Sequence, residues 1–159
     1  MSGFSIEWLD LREVSDHRAR DKDLLKAAVD WLNNLKAKDK VIVDLGSGTG
    51  STIRGLQRYK TLTPSVQWRL VDNDPELLAE AVHRHSEEYS IESFLVDLSA
   101  TQKLPLKSVS LITASALLDL VSENFIRDLC QLIKEKNEYR PVGFYSALNY
   151  DGCIKWTPF

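Results

Sequence analysis

A short apolar stretch that runs directly into alternating glycines constrains this chain more than any other feature of its sequence. Val41 to Leu45 is rich in β-branched and aliphatic residues, which is typical of a buried parallel strand. Glycines follow at positions 46, 48 and 50, and the next residues can begin a helix. Glycine lets the backbone approach a ligand closely where side chains would be in the way. The pattern therefore predicts a nucleotide-type site between a strand and a helix.

The composition predicts a single domain, residues 1–159, because a chain of this length that is 43% hydrophobic can bury one core. A net charge of −3 argues against broad nucleic-acid binding, which uses a basic face. Cys130 and Cys153 lack metal-ligand spacing, and a reduced intracellular setting fits them. Since no basic leader and no apolar run near ~18 residues is present, we expect a cytoplasmic protein without a membrane span. No metal-ligating pattern is visible, so we expect no metal.

The first 40 residues precede the glycine-loop strand and are predicted to add helix to the core. Apolar residues there recur at intervals of three and four, which indicates one amphipathic helix from about Asp16. Its apolar stripe consists of Leu24, Leu25, Ala28, Trp31, Leu32 and Leu35. We expect this extension to pack on the sheet or to lie over the glycine loop.

Four more strands are predicted, over residues 66–71, 93–96, 109–113 and 141–148. Asp74 and Pro75 suit the start of a helix after the second strand, whereas residues 98–108 leave room only for a loop or one to two turns. The alternation of strands and helices predicts an α/β fold, a Rossmann-like three-layer sandwich with parallel strand order 3-2-1-4-5. An Asp-Gly pair at 151–152 adds a possible antiparallel hairpin return.

The sequence predicts the core face of one further helix and the exposure of two histidines on another. Ser122 can cap a helix whose predicted core face is Phe125, Ile126, Leu129, Cys130 and Ile133. His83 and His85 lie two apart on a helix and point in different directions, so we expect surface residues rather than a metal site.

Acidic residues stand at the carboxyl ends of the predicted strands. Asp44, Asp72 and Asp97 end the first three strands. Asp119 lies just past the fourth strand, and Asn149-Tyr150 just past the fifth. Ligands of open parallel sheets bind outside the carboxyl ends of the strands, where the strand order reverses. We therefore expect these residues to gather around one ligand.

The glycine spacing distinguishes two classes of cofactor. A dinucleotide loop reads G-x-G-x-x-G and holds a pyrophosphate, whereas the glycines here alternate. Asp44 would repel a pyrophosphate but can bind the ammonium group of an amino acid. Asp72 can accept from both hydroxyls of a ribose, and Asp97 from an adenine amino group. An amino-acid end, a ribose and an adenine together indicate S-adenosylmethionine.

Four stretches resemble the class I S-adenosylmethionine-dependent methyltransferases, namely VIVDLGSGTG, LVDNDPELL, the end of FLVDL, and LPLKSVSLITAS. The resemblance covers roughly residues 41–148, and the flanks are similar to a bacterial subgroup of unassigned substrate. It implies a methyltransferase acting on an unidentified acceptor, with a small molecule favoured. The alternative is a non-catalytic or truncated module that holds S-adenosylmethionine or S-adenosylhomocysteine without turnover.

The resemblance also implies the residues of the site. The predicted cofactor-binding residues are Asp44, Gly46, Ser47, Gly48, Gly50, Asp72, Asn73, Asp97, Leu98, Ala114 and Ser115. Arg12 and Arg20 are candidates for closing over the cofactor carboxylate, with a solvated or helix-pairing role as the alternative. A general base is needed only for a protonated nucleophile, and our candidates are Asp119 and Tyr150.

The number of predicted strands differs from the number that class I methyltransferases usually have. Class I methyltransferases usually complete a seven-stranded sheet, whereas this sequence predicts five parallel strands and a hairpin return. We therefore expect the C-terminal strands of that sheet to be missing from the chain. The edge they leave would be open to pairing between chains, as in an edge-strand dimer.

Overall fold

The computed structural model of the chain describes residues 3–36, 40–57, 66–138 and 140–149. The helices are α1 (Ile6–Ala19), α2 (Lys22–Asn34), α3 (Ser51–Gln57), α4 (Pro75–His85) and α5 (Glu123–Lys136). The strands are β1 (Lys40–Leu45), β2 (Val66–Asp72), β3 (Ser90–Leu95), β4 (Leu111–Ser115) and β5 (Gly143–Ala147). A single 3₁₀ turn, Thr101–Lys103, stands between β3 and β4, so the sequence was right to predict no full helix there.

The five strands form one parallel sheet in the order β3-β2-β1-β4-β5. This order confirms the predicted Rossmann-like α/β fold. The direction of the winding reverses at β1, which pairs with β2 on one side and β4 on the other. The glycine loop leaves the carboxyl end of this same strand, so it lies at the switch point of the sheet. The predicted hairpin at 151–152 lies outside the described residues.

Helices cover both faces of the sheet because successive side chains of each strand point to opposite sides. Ile42 belongs to the apolar cluster formed with α2, α3 and α4, and Trp68 of β2 is fully buried in the same cluster. Val43 belongs to the second cluster, which α5 and the segment before β4 complete. Each fully buried aliphatic side chain contributes about 1.5–3 kcal/mol. The sheet therefore forms a rigid base for the loops at its carboxyl edge.

The prediction of a single N-terminal helix from Asp16 is wrong, because two helices meet at Arg20. The backbone of Arg20 is extended, and the Asp21 carboxylate accepts from the amides of Asp23 and Leu24 to start α2. Aspartate favours such a cap over continuing a helix, which explains the break. Helix α2 packs on the sheet, but Leu24, which we assigned to its core stripe, is exposed.

The predicted core face of α5 is partly wrong. Ile126 and Cys130 are exposed, whereas Phe125, Leu129 and Leu132 are buried. These three residues follow the spacing i, i+4, i+7, which places one stripe on the sheet. Several stripes of this helix are apolar, and the packing against the sheet selects one of them.

Candidate functional site

The carboxyl ends of the strands open into a cleft of about 910 Å³. This volume lies within the range of roughly 300–1,000 Å³ that is usual for small-molecule sites. The walls come from α1, the glycine loop, the ends of β2 and β3, and the segments after β4 and β5. Eight of the predicted cofactor-binding and catalytic residues line it, namely Gly46, Gly48, Asp72, Asn73, Asp97, Leu98, Ser115 and Asp119, and the candidates Arg12 and Asn149 line it too. The fold thus brings residues from four strand ends to one place.

Three of the other predicted residues lie beside or beneath this cleft. Ser47 lines an adjoining cavity of about 90 Å³ together with Arg20 and Ser115. Asp44 and Ala114 are buried within the sheet below it. Tyr150, a candidate general base, lies outside the described residues.

Gly50 differs from the other two glycines of the loop because it faces His85 rather than the cleft. Its φ is +83°, and a Cβ there would lie 2.9 Å from the His85 ring. Close packing against a buried side chain therefore requires this glycine. The expectation that His85 is a surface residue is wrong, since its side chain is buried and contacts Arg54.

The glycine loop is fastened to the end of β2 by its backbone. Gly46 and Ser47 donate to the carbonyl of Val71 at 2.9 and 3.0 Å, and Gly48 donates to Asp72 Oδ2 at 2.8 Å. Gly46 and Gly48 have φ values of +66° and +52°, a region that costs other residues about 1–2 kcal/mol. Both glycines line the cleft, so a ligand there meets bare backbone.

Asp72 connects this loop to the next helix while its side chain lines the cleft. Its second oxygen accepts from the amide of Asp74 at 3.1 Å. Asp74 in turn caps α4 by accepting from Glu76 and Leu77, as predicted. A carboxylate has about four acceptor positions, so two remain for the donors of a ligand.

A polar network lies beneath the loop. Asp44 is only 1% exposed, and Thr113 donates to its Oδ1 at 2.6 Å. Burial raises the pKa of Asp44 to about 6, although the Thr113 bond and the charge of Arg20 favour the carboxylate form. Arg20 donates to Ser115 Oγ at 3.0 Å, and Ser115 Oγ lies 3.2 Å from Thr52 Oγ1. Helix α1 thus ends in a buried cation that interacts with the carboxylate of β1.

Three buried polar atoms of this region have no hydrogen-bond partner among the described residues: Asp44 Oδ2, Ser47 Oγ and Arg20 Nε. Leaving such a group unsatisfied costs about 1–3 kcal/mol, or more for a charged group. The Ser47 hydroxyl and the Arg20 guanidinium line the small cavity, and the Asp44 carboxylate, an acceptor for a cation, is buried in the sheet below the loop. This set is chemically complementary to the ammonium and carboxylate groups of an amino acid.

Helix α1 forms the roof of the cleft and is held there by polar contacts. Glu13 accepts two hydrogen bonds from Arg54, and Asp10 accepts two from Arg84 at 2.7 and 2.9 Å. Burial disfavours the charged form of Glu13, but Arg54 holds the pKa of Glu13 below its usual value. The hydrogen bonds from Arg84 likewise lower the pKa of Asp10. None of the 14 residues of α1, all of them described, is buried.

Two residues at the far side of the cleft have strained backbones. Ala116 and Leu148 have φ values of +51° and +61°, and both line the cleft. The amide of Ala116 donates to Ala147 at 2.9 Å, so the ends of β4 and β5 stabilise each other. Left-handed residues other than glycine are enriched at functional sites. Neither residue was predicted, because no sequence pattern marks an alanine or leucine for this conformation.

Sequence reasoning also missed the apolar walls of the cleft. Trp8 and Leu9 of α1 line it, as do Leu117 and Leu120 after β4. Their only signal was an apolar composition on segments that had no assigned core.

Among the described residues, no group of His, Cys, Asp or Glu could hold a metal ion. The helices that the structure describes include none with the length and apolar character needed to cross a membrane.

No protein-family model matches the chain, and no curated protein matches its sequence. Solved structures do match. One is the N,N-8-amino-8-demethyl-D-riboflavin dimethyltransferase RosA of Streptomyces davawensis, 16% identical with a TM-score of 0.54 over 82% of this chain and 35% of that one. The plantazolicin methyltransferase BpumL, solved with S-adenosylhomocysteine, is 16% identical with a TM-score of 0.53 over 81% and 49%.

A third similar structure is an O-methyltransferase family protein of Burkholderia thailandensis, 16% identical with a TM-score of 0.52 over 81% of this chain and 38% of that one. This chain has the class I methyltransferase fold. At this identity the likeness establishes the fold alone. The chain spans half or less of the length of these three proteins.

Proposed function

We propose that this chain is an S-adenosylmethionine-dependent methyltransferase. The observation that carries the proposal is the set of unpartnered buried groups on Asp44, Ser47 and Arg20, which lies beside a glycine loop at the switch point of the sheet. BpumL, which has the same fold, was solved with S-adenosylhomocysteine, the demethylated product of this cofactor. The chemistry of this donor and acceptor set fits the amino-acid end of the same molecule.

In this proposal each end of the cofactor has its own residues. Asp44 would attract the ammonium group, Arg20 the carboxylate, and the backbone at Gly46 and Gly48 would lie along the chain between them. Asp72 would accept from the ribose hydroxyls through its two remaining acceptor positions. The adenine would lie between Asn73 and Leu98, near Asp97, at the neighbouring strand ends.

S-adenosylmethionine supplies a methyl group that is already electrophilic because it is bound to a sulfonium. The protein therefore has to hold the acceptor in line at about 3–3.5 Å and to exclude water. Leu117 and Leu148 are suited to exclude water, since both line the cleft beside the strained strand ends. Asp119 would accept the proton of a protonated acceptor. We take the acceptor to be a small molecule, because the cleft has the volume of such a site.

The second candidate is a module that binds S-adenosylmethionine or S-adenosylhomocysteine without turnover. Its support is the exposed position of Asp119, which no other described residue holds in a fixed orientation. A base that acts in catalysis is usually oriented by a neighbour. Transfer of labelled methyl groups from S-adenosylmethionine to a pool of metabolites distinguishes the two candidates.

Calorimetry with S-adenosylmethionine, S-adenosylhomocysteine and NAD tests the cofactor. We expect both sulfur nucleosides to bind and NAD not to bind. Asp72→Asn should weaken S-adenosylhomocysteine binding about tenfold, since hydrogen bonds to a charged group are worth about 1.5–3 kcal/mol. Asp128→Asn makes the same change at an exposed position of α5 and should leave the affinity unchanged. Binding of NAD alone would overturn the proposal.

A further inference from the structure

The cleft divides into a half assigned above to the cofactor and a second half, here called the acceptor half. The acceptor half is formed by Trp8 and Leu9 of α1, by Leu117, Asp119 and Leu120 after β4, and by Leu148 after β5. Its identity as an acceptor site rests on the proposed function. Its chemistry, however, can be described from its own side chains.

The acceptor half is lined by apolar side chains, and several of them remain exposed in the part of the chain that the structure describes. Leu120 is 71% exposed, although it belongs to the lining of the cleft. Phe4 stacks on Trp8 with ring centroids 4.9 Å apart, and both rings are partly exposed at the same mouth. Apolar side chains that line a concave site and remain accessible are the usual surface for an apolar ligand.

Among the described residues of the acceptor half and the polar side chains beside it, Asp119 is the one charged group without a partner. Arg12 is neutralised by Asp16 through bonds of 2.7 and 3.2 Å, and its guanidinium lies 4.7 Å from the centroid of the Trp8 ring. Asn149 is occupied by Ser146 and by the amide of Leu118. No hydrogen bond or ion pair joins Asp119 to another residue that the structure describes.

The described lining of the whole cleft points the same way. It contains one guanidinium and four carboxylates, namely Asp16, Asp72, Asp97 and Asp119. An anionic ligand such as a nucleic-acid backbone would meet repulsion here and find its one cation already paired. A cationic group would find an accessible carboxylate beside apolar walls.

We propose that the acceptor half binds a small apolar molecule that carries a basic nitrogen, with the Asp119 carboxylate as its counter-charge. Trp8, Leu117 and Leu120 contact the apolar body, and Asp119 contacts the nitrogen at the mouth of the cleft. Asp119 therefore determines specificity by charge, and α1 contributes the aromatic wall.

Three probes of one shape and different charge test this proposal: 1-naphthylmethylamine, 1-naphthalenemethanol and 1-naphthoate. Their binding is measured by calorimetry with and without saturating S-adenosylhomocysteine. We expect the amine to bind about fivefold more tightly than the carboxylate, since one accessible ion pair is worth up to about 1 kcal/mol. Equal binding of amine and carboxylate, or no binding of any probe, would overturn the proposal.

Two variant pairs separate charge from apolar contact. Asp119→Asn should remove the preference for the amine, whereas Asp128→Asn, on the exposed face of α5, should retain it. Leu120→Ser should weaken all three probes severalfold, whereas Leu11→Ser should not, because Leu11 is 80% exposed and outside the cleft. A preference that survives in Asp119→Asn would contradict the assignment of Asp119.

The same measurements separate this inference from the proposed function. If the amine preference depends on Asp119 but S-adenosylhomocysteine does not bind, the site is as inferred and the cofactor assignment fails. If S-adenosylhomocysteine binds but the probes show no charge preference, the cofactor assignment stands and the acceptor class is wrong.

Discussion

The floor and the roof of the cleft are built in opposite ways. The glycine loop, which forms the floor, follows a buried strand and is tied by its backbone to Val71 and Asp72. The roof, α1, buries none of its residues and is held by ion pairs from Glu13 and Asp10. The floor therefore shares the cooperative stability of the core, whereas the roof can loosen by itself. A cleft built this way keeps its floor rigid while its cover stays adjustable.

The largest expected contrast is between a core residue under the floor and a surface residue of the roof. Trp68→Ala should lower the free energy of unfolding by about 3–5 kcal/mol, because it leaves a cavity beneath β2. Leu11→Ala on α1 should change it by less than about 0.5 kcal/mol, since that side chain is exposed. Denaturant unfolding measures both. Equal losses would show that α1 is part of the cooperative core.

A glycine of the floor gives the next largest effect. Gly50→Ala should destabilise the protein by roughly 2–3 kcal/mol, because φ is +83° and the new Cβ would lie 2.9 Å from His85. The double variant Gly50→Ala with His85→Ala should lose less stability than the two single changes added together, because the clash with the His85 ring is then absent. A fully additive cycle would mean that the backbone conformation alone sets the cost.

The pH dependence of stability tests the carboxylate of Asp44, which is buried beneath the floor. The pKa of Asp44 is about 6 in the folded protein and about 4 when unfolded, so the folded state holds the proton more tightly. Between pH 4 and 6 this group therefore makes the free energy of unfolding fall as pH rises, by roughly 1–2 kcal/mol. Asp44→Asn should remove this slope.

The difference in the free energy of unfolding between Asp44→Asn and the wild type reports on Asp44 alone, because all other carboxylates titrate in both proteins. Parallel pH profiles would contradict the assigned burial effect. In the proposed function the carboxylate form of Asp44 would attract the ammonium group, so affinity for S-adenosylmethionine should rise over the same range of pH in the wild type. That rise should be absent in the variant.

The smallest expected effect concerns the attachment of the roof. Glu13→Gln should cost about 1 kcal/mol of global stability or less, since it removes one partly buried ion pair. Amide exchange in α1 should accelerate, while exchange in β1 should not. Glu87→Gln makes the same change in net charge at an exposed position and serves as the control. Faster exchange throughout the sheet would show that roof and floor unfold together.

The floor could be predicted from the sequence because its signals are local and agree with one another. The run from Val41 to Leu45, the glycines after it and the Asp74 cap each predict the same strand–loop–helix arrangement. Parallel strands with short connections then allow few orders of the sheet. The positions of Asp72 and Asp97 at one edge followed from that order.

The roof could not be predicted in the same way, because its local signals conflict with its position. Helix α1 presents Leu11 and Val14 to solvent while Glu13 and Arg54 lie partly buried. A rule that places apolar residues inside gives the wrong face for such a helix. Asp21 broke the predicted helix in two, and this break is what brings Arg20 to Ser115.

The sequence by itself determined the order of the sheet, the glycine loop and the acids at the strand ends. These features follow from residue periodicity and backbone preferences over a few neighbouring positions. Only the tertiary structure decided that Gly50 packs against His85 and that Ala116 and Leu148 turn into the cleft. It also decided that Arg20, Ser47 and Asp44 leave polar atoms unpartnered in one place. Those outcomes depend on contacts between distant segments, which no local pattern in the chain encodes.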